Sequence, residues 1–362
     1  MKLTVGLKLK PTKEQAEFLL DTLHRANAAA NDASAIAWKK KAFGTFKLQS
    51  LVYRSLKEKY DLSAQIVVRL VAKVADAYKL DKRVKRVFRK DGSIAYDDRI
   101  LRYGIDYVSI WTVQGRQRIP FVCGERTKTL IESRQGESDL VYRKGKWFLF
   151  ATVEVIEPLT NDPEGFLGVD LGIVRIASDS EGQSFSGAHI RNLRKRHRRL
   201  RKKLQSKATK SAHRLLKKRS GRERRFATDL NHQISKQIVL KAQRTKKAIV
   251  LEDLRDIRLR VRASRKVRTE LHSWAFGQLR GFIEYKARLA GVPVLAIDPR
   301  NSSRECSQCG HIAKSNRRSQ SIFKCRSCGS VRNADINAAI VIGSRGAVIR
   351  PNAVPLTASP QL

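Results

Sequence analysis

Residues 166–187 read FLGVDLGIVRIASDSEGQSFSG, and this stretch decides the fold expected for the second half of the chain. It predicts two strands joined by a tight turn, followed by a third strand. Residues 246–254 read KKAIVLEDL, a short continuous apolar run that is typical of a strand buried on both faces. Residues 292–298 read VPVLAID and predict a further strand, with helical patterns between these strands. The alternation indicates an α/β sheet.

Three carboxylates stand where such a sheet can bring them together. Asp170 ends the first strand, Glu252 ends the apolar strand, and Asp335 lies in RNADINAAIVIG at residues 332–343, which predicts a last helix. Each has an ordinary interpretation by itself: a turn residue, a paired acid and an N-cap, respectively. In an open α/β sheet, however, adjacent strand ends and a facing helix start can gather acids from distant parts of the chain. Asp298 also ends a strand and is an accessory candidate.

Grouped carboxylates indicate metal-dependent chemistry. Three of them within a few ångströms repel one another and raise each other's pKa, and a divalent cation relieves this repulsion. Mg²⁺ prefers hard oxygen ligands of this kind together with phosphate oxygens. Two magnesium ions about 4 Å apart can position a water and stabilise the leaving 3′ oxygen of a phosphodiester. We therefore expect a nuclease with Asp170, Glu252 and Asp335 as its catalytic, magnesium-binding residues.

Four of the five cysteines form two CxxC pairs with the spacing of a zinc site. Cys306 and Cys309 are followed, after 15 residues, by Cys325 and Cys328. Each pair makes a knuckle whose two thiolates bind the same tetrahedral ion, and each is followed by a glycine that suits the tight backbone. A closed four-thiolate site predicts one structural zinc ion. The alternative is a redox-active dithiol.

The charge of the chain indicates a polyanionic partner. The sequence has 75 Lys and Arg against 33 Asp and Glu, a formal net charge of +42, which repels itself unless nucleic acid covers it. Residues 191–225 contain 18 of these cations and predict two basic helices in a hairpin, with a break at Ser220-Gly221. The residues expected to bind nucleic acid are Arg194, Lys195, Arg196, Arg198, Arg199, Arg201, Lys202, Lys203, Lys217, Lys218 and Arg219.

Several classes of protein are disfavoured by the sequence. No run of 18 apolar residues is present, so no membrane span is expected. The first ten residues, MKLTVGLKLK, predict a strand rather than a signal peptide, and five cysteines are too few for a disulfide scaffold. The sequence lacks the phosphate-binding loop of an NTP-driven motor. We expect a cytoplasmic prokaryotic protein that associates with the nucleoid when it is bound to DNA.

The first half of the chain predicts a barrel with a helical insertion. Thr12 and Gln15 form a capping box at the start of a helix, and a second amphipathic helix follows Ser63. Residues 94–157 are rich in β-branched and aromatic residues separated by glycines, which predicts a small antiparallel barrel. The strand at residues 1–10 begins the same sheet, so the helices interrupt the barrel.

Five motifs, taken in order, resemble those of the transposon-encoded TnpB (OrfB) nucleases, which are similar to the type V CRISPR effectors. The motifs are GVDLG (168–172), IVLEDL (249–254), CSQCG (306–310), CRSCG (325–329) and RNADINAAI (332–340). The segment HSWAFGQLRGFIEYKARLAG, residues 272–291, also resembles the helix before the zinc ribbon in that family. The resemblance is specific over residues 160–343 and rests on architecture alone before them.

The resemblance implies an RNA-guided DNA endonuclease. Its guide RNA, an ωRNA-like transcript, pairs with one strand of double-stranded target DNA, and the protein recognises a short adjacent motif. The fold implied is multidomain, α+β and α/β, with a RuvC-like nuclease domain of ribonuclease H fold. The expected domains are a β-barrel (wedge) at 1–12 and 89–160, a helical recognition domain at 13–88, a RuvC-like domain at 161–299 and 332–345, a zinc ribbon at 300–331, and a disordered, proline-containing tail at 346–362.

Other functions stay open at this point. The chain is alternatively a CRISPR-associated effector nuclease, or a non-cleaving RNA-guided DNA-binding regulator, although the presence of all three acids favours cleavage. A ribosomal or chromatin-type basic protein is a third alternative, but the acidic trio and the zinc ribbon are unexpected in it. DNA strand transfer is a fourth, because ribonuclease H-like folds also support that reaction.

Overall fold

The computed structural model of the chain describes residues 1–254 and 276–349. The chain divides into two compact units, Met1–Ile156 and Glu157–Leu362. Each unit has its own hydrophobic core.

A seven-stranded antiparallel sheet forms the framework of the first unit. Its order is β2-β6-β7-β1-β5-β4-β3. The edge strands β2 and β3 are neighbours in the chain, with only residues 97–100 between them, so the sheet curls into a nearly closed barrel. The predicted barrel, begun by residues 1–10, is confirmed. The strands are β1 (Lys2–Leu9), β2 (Ile94–Tyr96), β3 (Leu101–Tyr103), β4 (Tyr107–Thr112), β5 (Gly115–Val122), β6 (Arg134–Arg143) and β7 (Lys146–Glu154).

The predicted helical insertion lies between the first two strands of this barrel, and it contains three helices rather than the two identified from the sequence. They are α1 (Lys13–Lys40), α2 (Thr45–Tyr60) and α3 (Ala64–Leu80), and a short α4 (Glu125–Ile131) follows β5. The capping box of α1 is present, because Thr12 Oγ1 accepts from Gln15 N at 3.2 Å and Gln15 Oε1 accepts from Thr12 N at 3.1 Å. The apolar faces of these helices and the inner face of the sheet form one hydrophobic cluster.

The second unit contains a five-stranded mixed sheet with the order β10-β9-β8-β11-β12. The first three strands along the chain form an antiparallel meander, and β11 lies parallel between β8 and β12. β11 is central and its last five residues are buried, which confirms the prediction from its continuous apolar run. The strands are β8 (Gly165–Asp170), β9 (Arg175–Asp179), β10 (Ser184–Ser186), β11 (Lys247–Glu252) and β12 (Val294–Ile297).

The basic segment has the predicted break at Ser220-Gly221. It also has a break at Ala208-Thr209 that was not predicted, so three helices replace the two expected ones. Gly221 has a φ of 80° and separates the second helix from the third. Of the helical segment expected within residues 272–291, residues 272–275 lie outside the described residues, and Phe276–Leu289 form a helix. None of the helices within 1–254 and 276–349 is long and apolar enough to cross a bilayer. The helices are α5 (Ala188–Lys207), α6 (Lys210–Arg219), α7 (Arg222–Arg244), α8 (Phe276–Leu289) and α9 (Ala334–Ile349).

The structure corrects the prediction around the last helix. Residues 331–333 belong to β14 (Val331–Asn333), which pairs with β13 (Ile322–Lys324) in the cysteine-rich hairpin, so the helix starts two residues later than predicted. It also continues through Ile349, so the predicted tail is wrong for residues 346–349. Gly346 packs against Val250, and that contact stabilises the extra turn. Residues 350–362 lie outside the described residues.

Candidate active site

Two of the three predicted acids lie side by side at one edge of the mixed sheet. β8 and β11 run parallel with Val169 opposite Leu251, so the next pair in this register is Asp170 and Glu252. Adjacent strands are about 4.8 Å apart, and residues in the same register point to the same face. The two carboxyl groups therefore share one face at the carboxyl ends of neighbouring strands.

The third acid reaches this edge because α9 packs unusually close to β8. A Cβ atom added at Gly168 would lie 2.0 Å from the carbonyl oxygen of Ala339 and 2.3 Å from the backbone nitrogen of Gly343. Only glycine permits this approach. It carries the first turn of α9, with the buried Asp335, to the end of β8.

The capping role that the sequence offered for Asp335 belongs to another residue. Asn333 Oδ1 accepts hydrogen bonds from the backbone nitrogens of Asp335 and Ile336, at 3.1 and 3.3 Å. This is the pattern of a helix N-cap. The carboxylate of Asp335 is thus available for interactions with the other acids and with cations.

The three acids interact electrostatically. Burial, and after it the negative charges of Glu252 and Asp335, raise the pKa of Asp170 to about 7. Burial also raises the pKa of Glu252, while a hydrogen bond from Ser302 and the charge of Arg345 oppose the rise and the charge of Asp298 adds to it. Such perturbed carboxyl groups are typical of functional sites.

Two arginines partly neutralise this cluster. Arg317 donates to Asp335 Oδ1 at 3.3 Å, and its charge lowers the pKa of Asp170 against the larger effects of burial and the neighbouring acids. Arg175 Nε lies 3.6 Å from Asp335 Oδ2, and its Nη1 donates to Asn333 Oδ1 at 3.1 Å. Neither of these arginines, nor Ser302, was predicted from the sequence. Arg175 lies on β9 and Arg317 lies between the two CxxC pairs, so no local spacing links them to the acids.

The donor set of the acids fits a divalent cation such as magnesium. The buried Glu252 and Asp335 and the partly buried Asp170 supply hard oxygen ligands, and the repulsion of Asp170 by the other two acids is the kind that a divalent ion relieves. Within residues 1–254 and 276–349, the four cysteines are the one group of at least three potential ligands that is compact enough to hold a metal as it stands. Two of the acids are held by protein partners instead: Arg175 and Arg317 contact Asp335, and Ser302 donates to Glu252.

The four cysteines form a site that could hold one zinc ion. Their sulfur atoms all lie within 4.8 Å of one another, with 3.7 Å between Cys306 and Cys328 and 3.6 Å between Cys309 and Cys325. Tetrahedral zinc with sulfur at about 2.3 Å requires sulfurs about 3.8 Å apart. Although burial favours the thiol, hydrogen bonds from the backbone nitrogens of Cys328 and Ser327 lower the pKa of Cys325 to about 6. Hydrogen bonds with the neighbouring thiols raise the pKa of Cys328 in turn, so the sulfurs titrate together, and a bound zinc ion would favour all four thiolates.

Most of the predicted nucleic-acid-binding side chains are exposed on α5 and α6. Two of them are turned inward: Arg194 donates to Glu223 at 3.1 Å, and Arg219 is half-buried. Arg201 is exposed and lies 3.7 Å from the same glutamate. The other eight predicted cations are exposed, namely Lys195, Arg196, Arg198, Arg199, Lys202, Lys203, Lys217 and Lys218.

Two family models match parts of the chain. Residues 149–256 match OrfB_IS605, described as a probable transposase, and residues 276–342 match the TNB domain of Cas12f1-like proteins. The two matched ranges contain all three acids and all four cysteines of the CxxC pairs. The resemblance to TnpB and to type V effectors that the motifs indicated is confirmed over these ranges.

Individual relatives agree with the family models. A CRISPR-associated endodeoxyribonuclease Cas12f1 from Sulfoacidibacillus thermotolerans is 34% identical over 223 residues, covering 54% of this chain and 50% of that protein. The TnpB-like protein MJ0751 of Methanocaldococcus jannaschii is 36% identical over 146 residues, covering 40% and 51%. The putative RNA-guided DNA endonuclease InsQ of Escherichia coli K12 is 27% identical over 211 residues, covering 54% and 52%. The chain thus spans about half the length of these curated relatives.

Proposed function

We propose that this chain is an RNA-guided DNA endonuclease of the TnpB type, which hydrolyses DNA phosphodiesters at Asp170, Glu252 and Asp335 with magnesium. The observation that carries the proposal is the convergence of these acids at one sheet edge in a chain of net charge +42. The basic residues of such a protein bind nucleic acid. Grouped acids are expected in it at the place where bound metal ions help to cut a phosphodiester. The names of the relatives, endodeoxyribonuclease and RNA-guided endonuclease, support it.

We further infer that the second unit has the RuvC-like ribonuclease H fold. The support is its mixed five-stranded sheet, with acids at the carboxyl ends of β8 and β11 and a third acid on a helix that packs on β8. Ligand sites in open α/β sheets form at the carboxyl ends of strands. The zinc ribbon between β12 and α9 then acts as a structural insertion beside the site.

The roles proposed for the metal ions, the acids and the arginines follow from their charges. Magnesium ions, bound by the three acids, would supply the activation of water and the stabilisation of the leaving oxygen. Asp170, whose pKa is about 7, must lose its proton to become a ligand, and it does so readily above neutral pH. Arg175 and Arg317 orient Asp335 through their contacts with its carboxylate.

The guide RNA and the target DNA are the expected partners of the basic surface. In RNA-guided recognition, base pairing reads the sequence and the protein holds the heteroduplex through its backbone and shape. The eight exposed cations of α5 and α6 suit such sequence-independent phosphate contacts. We propose that the protein acts in the prokaryotic cytoplasm, at the nucleoid when it is bound to DNA.

The proposal is tested by sequencing the RNA that co-purifies with the chain. We expect one dominant RNA, and magnesium-dependent cutting of a plasmid that carries the sequence matching its guide portion. A plasmid in which the target sequence is scrambled should stay intact. The plasmid with the matching sequence should also stay intact when magnesium is left out. A heterogeneous RNA population together with cutting that ignores the match would refute guided cleavage.

Similarity to a Cas12f1 protein favours a second candidate, a CRISPR-associated effector. The same sequencing separates the two, because a CRISPR effector carries RNA with repeat-derived and spacer-derived parts. A non-cleaving RNA-guided regulator is disfavoured by the three acids. It would bind the matched plasmid in the same assay without cutting it.

A further inference from the structure

One buried serine contacts the candidate active site from the base of the cysteine-rich ribbon. Ser302 lies four residues before Cys306, in the segment 298–307 that joins β12 to the first CxxC pair. Ser302 is only 5% exposed, and its hydroxyl donates a hydrogen bond to Glu252 Oε1. The carbonyl oxygen of Pro299 lies 3.1 Å away. The hydroxyl has one proton, and the buried carboxylate is the stronger acceptor.

The same segment is fastened to the helix that carries Asp335. Asn337 is 1% exposed and lies two residues further along α9. Its Nδ2 donates to the carbonyl oxygen of Glu305 at 2.8 Å, and its Oδ1 accepts from the backbone nitrogen of Ser307 at 3.1 Å. Both polar atoms of this amide are thus used to hold segment 298–307 against the start of α9.

Arg345 makes a second attachment at the other end of α9. Its guanidinium donates to the carbonyl oxygens of Asp298 and Arg300, at 3.0 and 2.8 Å, and pairs with Glu305 at 2.5 Å. Three contacts from one planar group fix the path of the segment on both sides of Ser302. The position of Ser302 relative to α9 is therefore set at two separate places.

We propose that segment 298–307 is a positioning element of the nuclease site, in which Ser302 fixes the carboxylate of Glu252 for metal binding. Asn337 and Arg345 tie this segment to α9, so the base of the zinc ribbon sets the geometry of Glu252 relative to Asp335. Ser302 is a positioning residue, since it acts through Glu252. The proposal rests on the assignment of the acids as metal ligands and adds a partner behind one of them.

A metal titration tests this role. Partners that orient metal ligands typically contribute about 10–100-fold to metal affinity. Ser302→Ala should therefore raise the magnesium concentration for half-maximal cleavage by about tenfold or more, with most of the rate recovered at saturating magnesium. Ser302→Thr keeps the hydroxyl and should restore the parental magnesium dependence. The matched control, Ser303→Ala, removes a hydroxyl from the next residue and should leave it unchanged.

Direct binding of Mn²⁺ to the full chain separates this proposal from the proposed function. Bound RNA is removed first, and Mn²⁺ binding is measured by electron paramagnetic resonance of free Mn²⁺. Ser302→Ala should bind Mn²⁺ more weakly than the parent, by a factor that matches the cleavage result. Ser302→Thr should bind Mn²⁺ as tightly as the parent. If the parent binds Mn²⁺ at the acids but cuts no DNA, the function fails and the role of Ser302 still stands on this readout. Parental Mn²⁺ binding in Ser302→Ala, or a loss that threonine does not restore, would overturn the proposal.

Discussion

Replacing Asp170 with asparagine should make the metal-free protein more stable above neutral pH. The substitution keeps the size of the side chain and removes a charge that is partly buried beside two other acids. The pKa of Asp170 is about 7, compared with 3.8 for an ordinary aspartate. This rise of about three units corresponds to about 4 kcal/mol between the protonated and the ionised forms.

The direction of this change in the free energy of unfolding follows from proton linkage. Because the folded-state pKa is raised, the folded protein binds more protons than the unfolded chain between about pH 4 and pH 7. The contribution of Asp170 to stability is fully present below about pH 4 and is lost as the pH rises through 7. Asn does not titrate. The free energy of unfolding of Asp170→Asn, relative to the parent, should therefore increase by up to about 4 kcal/mol from pH 4 to pH 8.

Calorimetry in magnesium-free buffer without a chelator, which leaves zinc in place, measures this difference. Added magnesium should then stabilise the parent at pH 8 and leave Asp170→Asn unchanged. Glu164→Gln is a matched control, because Glu164 is an exposed acid of the same unit paired with Lys246. If the free energies of unfolding of Asp170→Asn and the parent depend on pH in parallel, the interpretation of Asp170 as a partly buried acid repelled by its neighbours is refuted.

Three further predictions concern other parts of the second unit. Elemental analysis should find about one zinc per chain, and Cys306→Ser should lower it towards zero. Gly168→Ala should lower the free energy of unfolding, measured by denaturation, by about 3 kcal/mol or more, because the added Cβ meets backbone atoms of α9 at 2.0 and 2.3 Å. The control is Gly165→Ala on the same strand. Its added Cβ meets only side-chain atoms at 3.5 Å or more, so it should lower the free energy of unfolding much less. Replacing Lys195, Arg199 and Lys202 together with glutamine should reduce the slope of log affinity for nucleic acid against log salt by about 2–3.

Local sequence patterns predicted the parts of the fold that depend on local physics. The continuous apolar run before Glu252 indicated a buried central strand, and β11 occupies the centre of the mixed sheet. The spacing of the cysteines indicated a compact four-sulfur cluster, which the structure contains. Each of these features is encoded within a few consecutive residues or a fixed spacing.

Glycines near the end of the described chain are the reason that the last helix was predicted too short. Gly343 and Gly346 are poor helix formers, and the predicted helix ended at the first of them. In the structure both lie inside α9, facing Gly168 and Val250 across a close helix–strand contact. Their role is to permit this approach, and tertiary packing therefore overrides their low helix propensity.

The partners of the acids could not be predicted from sequence. Arg317 and Asp335 are 18 residues apart, Ser302 and Glu252 are 50 apart, and Arg175 and Asp335 are 160 apart. Serines and arginines are common in this chain, and nothing in their spacing marks these three. Their contacts arise only when the sheet, α9 and the ribbon pack together. The division of the chain into the predicted domains stays a prediction.

The central claim, that three acids cut DNA chosen by a bound RNA, is tested most directly by one cleavage measurement. A plasmid that carries the sequence matching the co-purified RNA is incubated with magnesium and with one protein at a time, each carrying the same RNA. The proteins are the parent, Asp170→Asn, Glu252→Gln, Asp335→Asn and the control Glu164→Gln. We predict that the parent and Glu164→Gln cut, and that each of the other variants is slower by more than about a hundredfold, the upper range for loss of a residue behind a metal ligand. Parental cutting by any of those three variants, or no cutting by the parent, would contradict the account.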